Sequence, residues 1–326
     1  MLRVYLDQNH WVSLTKAQAG RSDGEKFSGV LVLLKEAVER GWVSLPLSVQ
    51  HVIEVQNRND WKSRQDLAST MIELSRWHTI GYQRQLVGAE IDASLKHLIG
   101  RPLVPRQAQV FGMGLNHAFG RNVIKYEPPA EVPGELRDPI RRWGRDLMQI
   151  AALVGAPPNF EVPGYDPSAH RQVSKAFAEQ QEQLRTIRRP HGYHRGDLGL
   201  RATSVDVFTE YEPAFTEALD LASLHWGHVY ALERDGMERL LELTPIVFTH
   251  RELRRLRHEA SPKHWEPGDL IDLTALASAI VYCDVVVTER VWTAIAQRTD
   301  LQERYHTTVL RSLDDLVPHL IGAAHV

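Results

Sequence analysis

The chain has 326 residues, of which 43% are hydrophobic and 24% charged, and a net charge of −3 at pH 7. That length can bury a large core in one domain or two, and the composition excludes wholesale disorder. The charge excludes a global cationic field of the kind that grips duplex nucleic acid without sequence preference, although a local basic surface beside an acidic site would cancel in the total.

Cys283 is the only cysteine, so the chain can form no internal disulfide and no cysteine zinc site, which fits a reducing cytoplasm. No window approaches about 18 uncharged apolar residues, and Asp7 arrives before any signal-peptide core, so neither secretion nor a membrane span is expected.

In chain order, LRVYL at 2–6 reads as a buried strand that delivers Asp7 to its end, the edge where α/β sheets place ligands, with a short polar linker after it. Residues 25–40 carry Phe27, Val30, Leu31, Leu34 and Val38 at helical spacing, and Gly41 is the stop. WVSLPLS at 42–48 has β character with Pro46 inside it, and 49–59 returns to a helical period that places Glu54 one or two turns in. A helix over 63–77 comes next, interrupted at Thr79, Ile80 and Gly81.

From 82 to 235 helical windows at 135–154 and 167–187 alternate with Pro/Gly-containing connections at 102–107, 126–134 and 155–164, and strands are hard to find. Beyond 236 the α/β character returns. A short helix is expected at 237–243, a stronger one at 269–283, a strand at 284–288 and a helix at 289–298. A final strand near 307–313 precedes a helix whose start carries Asp314 and Asp315. The simplest arrangement is one α/β core made from 1–81 and 236–326, interrupted by a mainly helical insertion at 82–235.

Four places carry acids in contexts suited to a hard cation. Asp7 ends a strand, where a turn or cap role is the plain alternative. Glu54 stands at the edge of a helix, where pairing with Arg58 is the plain alternative. Asp269 and Asp272 share one side of an opening helical turn, where the first can cap and the second can serve the helix dipole. Glu289 repeats the strand-to-helix placement of Asp7, while Asp284 belongs to the strand entry.

These residues together resemble the PIN-domain ribonucleases. VYLDQN supplies the early strand and Asp7, SLPLSVQHVIEV the second strand and Glu54, and DLTALASAIVYCDVVVT the helix-opening Asp272 and the strand after it. The family's last acid commonly falls two positions after the Thr, where this chain has Arg290. Either Glu289, one residue earlier, takes that place with its longer side chain, or Asp269 completes the site. The resemblance covers about 1–75 and 240–326.

It implies a parallel-sheet core flanked by helices and hydrolysis of RNA phosphodiesters with Mg²⁺ or Mn²⁺. Asp7 and Asp272 would be principal ligands, Glu54 a ligand or water-orienting group, and Glu289 and Asp269 would act directly or through water. Single-stranded or looped RNA suits a cleft that reads an unpaired backbone, and a protein inhibitor or a second copy is a conceivable partner. A catalytically degenerate RNA- or protein-binding module and a structure-specific DNA nuclease are the competing readings.

Arg251, Arg254, Arg255 and Arg257, and Arg188, Arg189 and Arg195, are either phosphate contacts or salt-bridge partners. His10, His51 and His250 accompany no histidine metal motif, and no Walker loop, dinucleotide fingerprint or serine-hydrolase elbow is present.

Overall fold

The computed structural model describes residues 1–100, 106, 108–156, 167–260 and 263–325. The Pro-rich connections expected at 102–105 and 157–164 lie outside the described residues.

Strand β1 (Leu2–Leu6) forms as expected. The segment after it is not a polar linker but a helix, α1 (Gln8–Gln18), because Asp7 caps it by accepting the Gln8 amide at 2.6 Å and Trp11, Leu14 and Ala17 recur on its buried face. A 3-10 turn (Glu25–Phe27) leads into α2 (Ser28–Glu39), which buries Val30, Leu31, Leu34 and Val38 and gives way to Gly41 at φ +72. Of the β-like run beyond Gly41 only β2 (Val43–Ser44) pairs as a strand, since Pro46 has no amide to donate and Leu47 makes an isolated bridge to Thr79.

Helices α3 (Val49–Gln56) and α4 (Trp61–Ser75) come next, and the interruption at Thr79 is a strand, β3 (His78–Ile80). The exit from α4 uses two successive non-glycine residues with left-handed backbone, Arg76 at φ 49 and Trp77 at φ 62, a conformation that costs roughly 1–2 kcal/mol per residue. After α5 (Gln83–Ile99) a strand absent from the sequence reading, β4 (Phe111–Met113), pairs antiparallel with β3 in the register Ile80 to Phe111. Three residues centred on a glycine are too few to show an alternation.

The helical stretch continues through α6 (Leu115–Ala118), α7 (Gly134–Val154), α8 (Pro167–Arg188), α9 (Gly196–Leu221), α10 (Trp226–Tyr230) and α11 (Glu233–Glu242). It ends in α12 (Pro245–Ala260) and α13 (Gly268–Tyr282), succeeded by β5 (Val285–Val287), α14 (Arg290–Ala296), α15 (Leu301–Tyr305), β6 (Thr308–Leu310) and α16 (Leu313–Ala323). The protein is therefore mixed α/β, with a four-stranded parallel sheet in the order β2-β1-β5-β6 flanked by helices.

Contacts divide the chain into two compact units. The first comprises Met1–Tyr82, Phe111–His170 and Leu310–Val326, the second Gln83–Val110 and Arg171–Val309. In the first, α1 packs on α2 and α4, α2 on α16, and α7 on α3 and α4. Gly144 of α7 lies so close to Tyr126 that a Cβ there would come within 2.1 Å of the ring. Leu136, Trp143 and Leu147 of the same helix face outward.

In the second unit α12 packs on α13 and α9, and α9 on α5. Arg251, Arg254 and Arg257 of α12 are buried, not presented to solvent. Arg251 pairs with Glu238 and Glu252, Arg254 with Glu210, Arg255 with Glu252 and Glu259, and Arg257 with Asp269. A buried guanidinium without a carboxylate would be prohibitively costly, so of the two readings open for this group the structure shows salt-bridge partners, a set of structural ion pairs. Arg188 likewise pairs with Asp206 at 2.6 Å, while Arg189 and Arg195 are exposed.

Gly144→Val should destabilise the protein by about 1–3 kcal/mol, because the Tyr126 ring must leave its place against α7. Equilibrium denaturation reads this directly, and an unchanged midpoint would mean that the ring is not held there.

Candidate metal centre

The first unit positions Asp7 and Glu54 through one imidazole. His51 is fully buried in the first turn of α3. Its Nε2 lies 2.8 Å from the Leu6 carbonyl and its Nδ1 3.0 Å from the Ser48 amide. A carbonyl can only accept and an amide can only donate, so Nε2 carries the proton and Nδ1 is bare. Burial pushes the imidazole down to about 4 against the smaller raising effect of the Leu6 hydrogen bond. Tyr5 stacks on the ring at 5.0 Å and Trp11 meets its edge at 6.1 Å. The residue before Asp7 is thereby tied to the helix that bears Glu54 three positions after His51.

The second unit holds α13 at both ends. At its start Asp269 receives Arg257 at 3.0 Å and the Glu266 amide at 2.8 Å on the same oxygen, Oδ2. At its end Tyr282 donates to Glu90 at 2.6 Å, and the Ile246 amide donates to the other Glu90 oxygen at 2.9 Å. Burial raises the Glu90 carboxyl to about 7 against those two hydrogen bonds, so near neutrality it carries a proton part of the time. Between these anchors, Asp272 accepts the indole N–H of buried Trp292 at 3.1 Å on Oδ2.

One carboxylate oxygen from each of Asp7, Glu54 and Asp272 lies within 4.8 Å of the others, with Asp7 buried and the other two half-buried. Among the described residues this is the one such group of three metal-ligating side chains. Asp269 and Glu289 are not in it. Asp269 is engaged by Arg257, and Glu289 is exposed at the start of α14, where its carbonyl accepts from the Thr293 amide and hydroxyl.

Hard oxygen donors are the correct type for Mg²⁺ or Mn²⁺, and oxygens on opposite sides of a six-coordinate Mg²⁺ are about 4.2 Å apart, so a 4.8 Å span fits a shared ion after small adjustment. The sequence reading missed the supporting roles of His51 and Trp292, which depend on partners distant in the chain. No family model, curated protein or solved structure matches the chain.

Between pH 6.5 and 4 the unfolded chain takes up a proton at residue 51 that the folded chain refuses. Stability contributed by neutral His51 is therefore complete above pH 6.5 and lost on acidification toward pH 4, by an amount on the order of 3 kcal/mol. His250 and His258, held near 3 mainly by burial, add to that slope, while Glu90 opposes it. His51→Gln should lower stability at pH 7.5 and flatten the acid slope without abolishing it. Urea midpoints measured across this range test both effects, and an unaltered slope would contradict the assignment.

Proposed function

We propose that the chain is a metal-dependent endoribonuclease with a PIN-like core. The observation that carries this reading is the approach of the Asp7, Glu54 and Asp272 carboxylates to within 4.8 Å, since these are the first three acids of the PIN-like sequence pattern and come from distant parts of the chain. Carboxylates this close repel one another, and a divalent cation offsets that repulsion.

Asp7 and Asp272 would hold Mg²⁺ or Mn²⁺, with Glu54 as third ligand or as the group orienting the attacking water. When bound, the ion supplies Lewis-acid polarisation of the phosphate and an activated water. Trp292 fixes the Asp272 carboxylate by its N–H, and the Leu6–His51 hydrogen bond fixes the approach of α3 to Asp7. Asp269, with its Oδ2 given to Arg257, supports α13, and Glu289, exposed at the start of α14, would act only through water. Single-stranded or looped RNA is the proposed substrate, on the resemblance and on the access an unpaired backbone gives to a cleft.

Asp7→Asn and Asp272→Asn should each reduce Mg²⁺- or Mn²⁺-dependent RNA cleavage by about a hundredfold or more with the fold retained, because each removes a charge at nearly constant volume. Glu54→Gln should behave like them, and Glu289→Gln should be milder. Cleavage of single-stranded RNA, hairpin RNA, single-stranded DNA and flap DNA by purified variants is the measurement. Preference for flap DNA would favour the DNA-nuclease reading, and absence of cleavage with intact metal binding would favour a binding module. Wild-type rates in both Asp variants, or rates unaffected by chelation, would refute the mechanism.

A further inference from the structure

The first unit carries a pocket at the other end of β1. It has a volume of about 260 Å³ and apolar walls that include Val38, Val43 and Leu74, with polar groups from Arg40, Ser44, Arg76 and His78 and with Glu39 its one acid. Leu2 lies opposite Val43 and Arg3 opposite Ser44, which places this pocket by the amino end of β1, roughly 17 Å along the strand from Asp7. It is separate from the carboxylates and stands whether or not they bind metal.

Its groups have the donor character of an anion receptor. Buried Ser44 and half-buried His78 share a hydrogen bond, Oγ to Nδ1, at 2.7 Å. Arg40 is oriented over the Trp42 ring at 5.0 Å and by Glu36 at 3.0 Å. Arg76 is exposed, and no carboxylate among the described residues pairs with it. Its closeness to His78 is also felt electrostatically, since burial first and the Arg76 charge second hold that imidazole below its ordinary value.

The backbone under Arg76 is the second observation. Arg76 is the left-handed C-cap of α4, a place where glycine is the default, and Trp77 continues left-handed with its amide donating to the buried Ser75 hydroxyl at 3.2 Å. That backbone ends α4 and sets the exposed Arg76 side chain at the rim of the pocket. Guanidinium forks, a hydroxyl and an imidazole together suit a tetrahedral oxyanion with several acceptor oxygens.

We propose that this pocket binds a phosphate dianion, free or as a monoester, with Arg76 and Arg40 supplying charge and Ser44 and His78 supplying hydrogen bonds. Inorganic phosphate, ribose 5-phosphate and adenosine 5′-monophosphate are titrated separately into the full chain, with chloride at equal ionic strength as control. The His78 ring signals are monitored by NMR. Saturable shifts with phosphates and not with chloride are expected, and tighter binding of the esters identifies an esterified ligand whereas equal binding identifies free phosphate. Arg76→Gly should raise the thermal midpoint by relieving the left-handed cap, yet weaken phosphate binding at least about tenfold. Since that variant is expected to fold better than wild type, loss of binding cannot be ascribed to unfolding. The proposal is overturned if His78 shows no saturable shift by about 10 mM phosphate, where a 1 mM site would be nearly filled, or if Arg76→Gly binds as wild type does.

Discussion

One uncharged imidazole, wedged between a carbonyl and an amide, fixes how the first unit presents its acids. His51 takes the last carbonyl of β1 with one nitrogen and the cap amide of α3 with the other, so strand end and helix start become a single hydrogen-bonded piece. Neither backbone group can exchange its role, and a second proton on the ring would set two donors against each other. The low proton affinity of His51 is thus as much a statement about geometry as about burial. It also explains why Asp7 can be both the N-cap of α1 and a member of the carboxylate group, since β1 cannot swing away from α3.

The second unit reaches the same end with charged groups. Its central helix, α12, is buried along most of its length and meets carboxylates from α9, α11 and α13 through its arginines. The Arg257–Asp269 pair belongs to that network and also fixes the first turn of α13, one helical turn before Asp272. Removing either partner would leave a buried charge unanswered, which makes the position of α13 an all-or-none property.

How much the sequence revealed depends on the range of the interactions. Leu2–Leu6, α2, α3 and α13 were legible because apolar period and stop signals are local. Helix α1 was not, because Gln8, Asn9, His10 and Ser13 mask the buried spacing of Trp11, Leu14 and Ala17. The arginines of α12 stayed open between phosphate contacts and salt bridges because their partners Glu210, Glu238 and Asp269 stand on other helices. At the candidate centre Asp7, Glu54 and Asp272 were each named from strand-end and helix-start context. The hydrogen bonds that aim their elements, from His51 to Leu6 and from Trp292 to Asp272, span 45 and 20 residues and leave no local trace.

The carboxyl of Glu90 changes how the folded chain answers to acidity. Titration behaviour near neutrality is ordinarily credited to histidine, yet here the buried imidazoles of His51, His250 and His258 sit at about 3 to 4 and the buried carboxyl at about 7. The two chemical types have exchanged ranges. The proton that Glu90 takes up near neutrality is therefore an acid's proton, on a carboxyl that accepts from the Tyr282 hydroxyl and the Ile246 amide where α5, α12 and α13 meet, and carbonyl-stretch spectroscopy, not imidazole resonances, is the way to see it come and go.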